Sequence, residues 1–327
     1  MRTGKVFSGP EKNFRERVEP YSFESIQGRE LERAMAEKMP ERTNLCKTKK
    51  SIAVVSGKGG VGKSNFALNL AIESGRCRDL PVALLDADFG MANIDVLLGV
   101  ETRLNLTNVI EEELSLREIT LPVSERVWLV PGGSGIPSLA SLDDVSLKGI
   151  MRQLKTLDDF VDVMIIDTGA GIHTSVRDFS MASDTVVLVT TPEPTALKDA
   201  YGMVKSLVYS HGQDVLKSKE LFVVINMAFS SEEAQKSAQR LIQTCRHFLG
   251  IELRLLGVIP YDIKIVKSVK ARTPIAKLYP ENQTVRRIRA MVDVLLPLDK
   301  DPVLHSGHGE EKDTGPMAKL LGRILKR

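Results

Sequence analysis

The stretch Ser56-Gly57-Lys58-Gly59-Gly60-Val61-Gly62-Lys63-Ser64 packs four glycines, two lysines and a closing hydroxyl into nine positions. Gly57 to Ser64 fits the spacing G-x-x-x-x-G-K-[ST]. In that pattern the glycines let successive backbone N–H groups turn toward phosphate oxygens, and the helix that follows adds the positive end of its dipole. Lys63 then reaches the β- and γ-phosphates, and the Ser64 hydroxyl is a ligand for magnesium. On this reading Gly57, Lys58, Gly59, Gly60, Val61, Gly62, Lys63 and Ser64 all border a nucleotide. Such a cradle needs one lysine. Lys58 is a second, and the plain alternative for it is a solvated loop side chain.

Carboxylates recur where such a cradle needs them. Asp86-Ala87-Asp88 follows the apolar run PVALLD (81–86), and strand alternation turns Asp86 and Asp88 the same way, toward the magnesium–phosphate region. Either could instead cap the segment that follows. Asp167 ends a second run, DVMIID (162–167), and precedes Thr168-Gly169-Ala170-Gly171. An apolar run ending in Asp is a Walker B pattern, whose carboxylate reaches magnesium through a water. The expected metal set is therefore Ser64, Asp86 and Asp167. Asn226 closes the run LFVVIN (221–226), and Pro260 lies in IPYD (259–262). An amide can pair with a base edge and a proline can pack on the ring, although an asparagine here could simply form a turn.

These residues need a scaffold that brings strand ends together. The runs SIAVVS, PVALLD, VWLVPG, DVMIID, DTVVLVT, LFVVIN and LRLLGVI are nearly all apolar, as in strands buried on both faces of a parallel sheet. Helical patterns fall between them, at 63–75, 146–157, 195–209, 231–248 and 282–295. The alternation predicts an α/β fold: a mostly parallel, doubly wound sheet with helices on both faces. In such sheets ligands sit at the carboxyl ends of the strands, where the acidic residues fall. The expected organisation is an N-terminal extension over 1–50 with one helical piece near 23–38, an α/β domain over 51–298, a polar linker over 299–316, and a short tail over 317–327.

Further segments narrow the reading. KGGVGKS, DADFGMANIDVLLG, VPGGSGIPSLASL, IDTGAG, TTPEPTALKDAYGMVK and IPYD…VKSVKARTPIAKLYP together resemble the flagellar site-determining ATPases (FlhG/FleN) of the deviant-Walker-A MinD/ParA family. The resemblance implies a P-loop, MinD-like fold, ATP and Mg²⁺ as ligands, and slow hydrolysis coupled to dimerisation. It gives Lys58 the role of reaching across a nucleotide-sandwich homodimer to the other subunit's phosphates, by the logic of an arginine finger. It gives Asp88 the role of orienting the attacking water, and it places the base near Asn226 and Pro260. The partners it implies are the flagellar GTPase FlhF, switch-complex (C-ring) proteins and a flagellar transcription activator. Septum-placing and partitioning relatives share the chemistry and are the alternative. Members of the flagellar group often carry a GTPase-stimulating DQAxxLR helix near their start. Here Gln27, Leu31 and Met35 keep an i, i+4, i+8 stripe, but Ile26, Gly28 and Glu32 replace the motif's Asp, Ala and Arg.

The tail MAKLLGRILKR sets Leu320, Leu321, Ile324 and Leu325 on one helical stripe, with Lys319 and Arg323 on the other face. Such a helix can lie on an anionic membrane surface, or dock on the protein itself. The expected location is cytoplasmic, with peripheral attachment to the inner face of the cell membrane. Several classes are disfavoured. The three cysteines are far apart with no CxxC, which argues against a disulfide scaffold, a thiolate metal site or a metallocluster carrier. A net charge of +3 is small, so the basic cluster of Lys264, Lys267, Lys270, Arg272, Arg286, Arg287 and Arg289 reads as a solvated face rather than a DNA contact. His173 reads as a surface residue and Trp128 as core.

Overall fold

Strand β1 (Lys50–Ser56) shows why the apolar runs fold as they do. Ile52 and Val54 point to one face of the sheet, and Ala53 and Val55 to the other; all four are fully buried. Only a strand covered on both sides needs an unbroken apolar run. The structure, a computed structural model, describes residues 50–298 apart from 89–91, 112–113, 133–156 and 158–159. The helix expected over 23–38, all but the last residue of that over 146–157, the linker over 299–316 and the tail over 317–327 lie outside the described residues.

Seven further strands are β2 (Val82–Ala87), β3 (Leu121–Ser124), β4 (Val127–Val130), β5 (Val163–Ala170), β6 (Thr185–Thr190), β7 (Glu220–Ala228) and β8 (Arg254–Pro260). They form one sheet in the order β3-β4-β2-β5-β1-β6-β7-β8. Every pairing is parallel except β3 with β4. The chain runs outward from β1 through β2 to β4, then returns with β5 beside β1 and continues on its other side with β6. The carboxyl end of β1 thus lies at the point where the strand order reverses, the usual ligand crevice of an open α/β sheet.

Helices α1 (Lys63–Arg78) and, at the end of the described chain, α11 (Gln283–Leu295) cover one face together with Ile52 and Val54. Helices α6 (Pro194–His211) and α8 (Ser231–Leu249) cover the other with Ala53 and Val55. Between them in sequence lie the short α2 (Ile94–Leu98), α3 (Leu106–Glu111), α4 (Leu116–Ile119), α5 (Thr174–Ala182), α7 (Gln213–Lys217), α9 (Ile263–Lys270) and α10 (Ile275–Leu278). This is the doubly wound fold the sequence implies. Two details differ from it. An antiparallel hairpin, β3–β4, turns at Glu125-Arg126 and closes one edge. At the other edge β8, beyond which no strand pairs among the described residues, exposes Arg254 and Leu255.

Candidate functional site

The loop between β1 and α1 is shaped by where a side chain cannot go. A β-carbon on Gly57 would overlap the Asp199 carbonyl of α6, so the loop leaves the sheet pressed against that helix. Gly60 and Gly62 adopt φ of 80° and 85°, the left-handed region that only glycine enters without cost. Gly62 is the N-cap of α1, and its carbonyl accepts from the Phe66 N–H at 2.9 Å, so the helix starts at once. The first turn of α1 carries no acidic side chain to compete for its N–H groups.

Lys63 and Asp167 meet at the base of this loop. The Lys63 ammonium donates to Asp167 Oδ1 at 2.6 Å and to Ser64 Oγ at 3.3 Å, and both charged side chains are buried. Burial pushes the Asp167 carboxyl above its ordinary range, and the Lys63 charge pulls it back. Asp86 lies directly opposite Asp167 in the β2–β5 ladder. Burial, then the Asp167 charge, push the Asp86 carboxyl up to about 7. Its oxygens accept from three backbone N–H groups: Asp88 at 3.2 Å, Asn93 at 3.1 Å and Ile94 at 3.2 Å. Asp86 therefore anchors the start of α2 from the strand end. Asp88 lies further out, beside Gly169, where a β-carbon would come within 3.4 Å of its Oδ1.

Two buried carboxylates and a hydroxyl, all hard oxygen donors, suit a small divalent cation. Among the described residues no group of three or more His, Cys, Asp or Glu could hold a metal by itself. A magnesium ion here would draw further ligands from phosphate oxygens and water, as this ion ordinarily does.

Lys58 stands apart from that buried pair. It is 41% exposed, and its ammonium lies 3.4 Å from Glu193 Oε2 and 3.3 Å from Thr195 Oγ1, at the start of α6. The loop thus carries one lysine turned inward and one on the solvent side. Sequence reasoning did not single out Glu193 or Thr195, although both belong to the segment TTPEPTALKDA.

Beyond α1 opens a cavity of about 330 Å³, bordered by Gly62, Phe66, Asn226, Pro260, Ile265 and Ile288 among others. Its size and apolar walls suit a purine ring. Asn226 and Pro260 both border it, as expected. However, the Asn226 amide is already engaged: Nδ2 donates to the Val61 carbonyl at 2.8 Å, and Oδ1 accepts from the Met227 N–H at 2.9 Å. Met227 holds a φ of 57°, uncommon for a residue with a side chain. At the cavity mouth Tyr261 stacks on the exposed Phe229, with ring centroids 5.2 Å apart.

The structure therefore gathers Gly57 to Ser64, Asp86, Asp88, Asp167, Asn226 and Pro260 around one crevice. The tail residues Leu320, Leu321, Ile324, Leu325, Lys319 and Arg323 lie outside the described residues. The basic cluster is divided: Arg287 donates to the Val258 carbonyl and Arg289 pairs with the buried Glu73. His173 is exposed and Trp128 is buried, as the sequence implies.

A phosphate loop at the switch point of a parallel sheet, a Walker B aspartate on the neighbouring strand and a purine-sized cavity define a P-loop ATPase. A family profile described as "ParA: NUBPL iron-transfer P-loop NTPase" matches residues 47–296. The chain is 36% identical over 259 residues to "Antiactivator FleN" of Pseudomonas aeruginosa, covering 78% of this chain and 89% of that one. It is 34% identical over 255 residues to "Flagellum site-determining protein YlxH" of Helicobacter pylori, covering 76% and 82%. Among solved structures, the septum site-determining protein MinD complexed with Mg-ADP, from Pyrococcus horikoshii, superimposes with a TM-score of 0.59 at 24% identity, covering 76% and 96%. The chain belongs to the MinD/ParA family of P-loop ATPases, and ATP with Mg²⁺ is its nucleotide and metal pair. Among the described residues the two cysteines, buried Cys245 and half-buried Cys77, are both free.

Proposed function

We propose that this chain is an ATP-dependent dimerising switch that regulates flagellum number and placement, held reversibly at the membrane. The observation that carries the switch is Lys58: a second loop lysine on the solvent side of the cradle, outside the buried Lys63–Asp167 pair. A cation so placed can meet the phosphates of a second copy. Ile172, which follows β5 beside the loop, is 54% exposed, an apolar side chain that an apposed copy would cover. The flagellar part of the reading rests on the likeness to FleN and YlxH.

Within this reading the N–H groups of residues 57–64 hold the phosphates, and Lys63 leaves Asp167 to reach them. Ser64, Asp86 and Asp167 would hold Mg²⁺, and Asp86 also steadies the loop to α2. Magnesium supplies charge neutralisation on the phosphate oxygens. Asp88 orients the attacking water. The tail over 317–327 attaches the dimer to an anionic bilayer, and FlhF, C-ring proteins and a transcription activator are the partners to be tried. Light scattering of Asp88→Ala tests the switch, because the variant keeps the cradle and loses the water-orienting group. It should be a dimer with ATP and a monomer with ADP. A monomer in both nucleotides, at concentrations that saturate the site, rules the switch out.

A further inference from the structure

Asn226 stands where an asparagine would be expected to read the base, yet its hydrogen bonds go elsewhere. Its side chain is 5% exposed, its Nδ2 donates to the Val61 carbonyl at 2.8 Å, and its Oδ1 accepts from the Met227 N–H. Two other polar side chains that border the cavity also hold bonds within the protein. Asp262 accepts from the Lys264 N–H at 2.8 Å and from Thr284 Oγ1 at 3.1 Å. Asn65 Oδ1 accepts from Asn69 Nδ2 at 3.2 Å.

We infer that Asn226 is a positioning residue for the phosphate cradle: by holding the Val61 carbonyl it aims the Gly62 N–H at the phosphates. The inference rests on the phosphate-loop reading of Gly57–Ser64. A trans peptide points its C=O and N–H in opposite directions. With the Val61 carbonyl tied to β7 through Asn226, the Gly62 N–H faces away from β7. The next peptide is fixed independently, because the Gly62 carbonyl accepts from Phe66 N–H. Gly62 makes the arrangement possible, since a β-carbon there would overlap the Asn226 amide nitrogen. The Met227 N–H donates to Asn226 Oδ1 at 2.9 Å and so fixes which end of the amide faces Val61. Residues 165 positions apart thus set one donor of the cradle.

The role separates from base reading by experiment. Asn226→Asp has the same shape but turns a carboxylate oxygen toward the Val61 carbonyl. Asn226→Ala removes the tie and leaves that carbonyl without its partner. Affinities of ATP and of base-free tripolyphosphate are measured by competition against a fluorescent ATP analogue, on full chains verified as folded by circular dichroism. Loss of a buried hydrogen bond corresponds to roughly tenfold in binding. Both variants should lose about that factor for ATP and for tripolyphosphate alike. A loss confined to ATP, a gain of GTP binding by Asn226→Asp, or no loss at all overturns the inference. Lys63→Ala is the separate control: if its ATP binding equals that of the parent chain, the phosphate-loop reading has failed, whatever Asn226 does.

Discussion

Gly57 and Gly59 lie two positions apart in one loop, and adding a methyl group to each should have opposite outcomes. On Gly57 the new β-carbon would overlap the Asp199 carbonyl and lie 2.7 Å from the Ala200 nitrogen. Both are backbone atoms of α6, so no side-chain rotation relieves the overlap. The end of β1 and the helix must part, although Leu197, Ala200, Met203, Val204 and Leu207 of that helix are buried against the sheet. Overpacking a close-packed interior costs about 1–3 kcal/mol, and an obstacle made of backbone puts Gly57→Ala near the upper figure. For a domain of this size each kcal/mol moves Tm by about 2–4 °C, so Gly57→Ala should melt about 6–12 °C below the parent chain. Gly59 has nothing within 4 Å of the position its β-carbon would take, and its φ is not positive. Gly59→Ala should stay within about 0.5 kcal/mol of the parent, or about 2 °C in Tm. Scanning calorimetry of the full chains without nucleotide measures both. Equal Tm values for the two variants would refute the packing argument.

Other expectations concern the site and its surroundings. Lys63→Ala should lose ATP affinity by isothermal titration, because a charge-assisted phosphate contact disappears along with the partner of buried Asp167. Gly202, in the middle of α6 with open space around its α-carbon, should tolerate Gly202→Ala with a gain of about 0.4–1 kcal/mol, read as a rise in Tm. For the tail, co-sedimentation with anionic vesicles compares the intact chain, a chain ending at Pro316 and Leu321→Glu. Only the intact chain should pellet, and only with ATP, since two weak anchors held together bind far better than one. Equal pelleting of all three would remove the anchor.

The parts of this site that are legible in sequence are those whose partners lie nearby in the chain. The loop declares itself through glycine spacing, and Asp167 through the apolar run before it. Trp128 is correctly assigned to the core because its run is apolar on both sides. The hairpin β3–β4 was not legible, since LPVS is four residues long and only partly buried, too short to show a period. Asp86 has a second task that the sequence does not show: the chain folds back, and Asn93 and Ile94 present their N–H groups to it. Asn226 is the clearest case of a non-local partner. Its position at a strand end was readable, but the Val61 carbonyl that claims its amide comes from the opposite end of the domain's sequence. Glu193 and Thr195 escaped notice for the same reason, being 135 and 137 residues from Lys58.

The central claim is that the second lysine of the loop couples hydrolysis to assembly. ATP turnover per chain, measured with Mg²⁺ over a wide range of protein concentration for the parent chain and Lys58→Ala, tests it most directly. The account predicts that turnover per parent chain climbs with concentration to a plateau, while Lys58→Ala binds ATP yet stays low and flat. Turnover by the parent that is independent of concentration, and matched by Lys58→Ala, would contradict it.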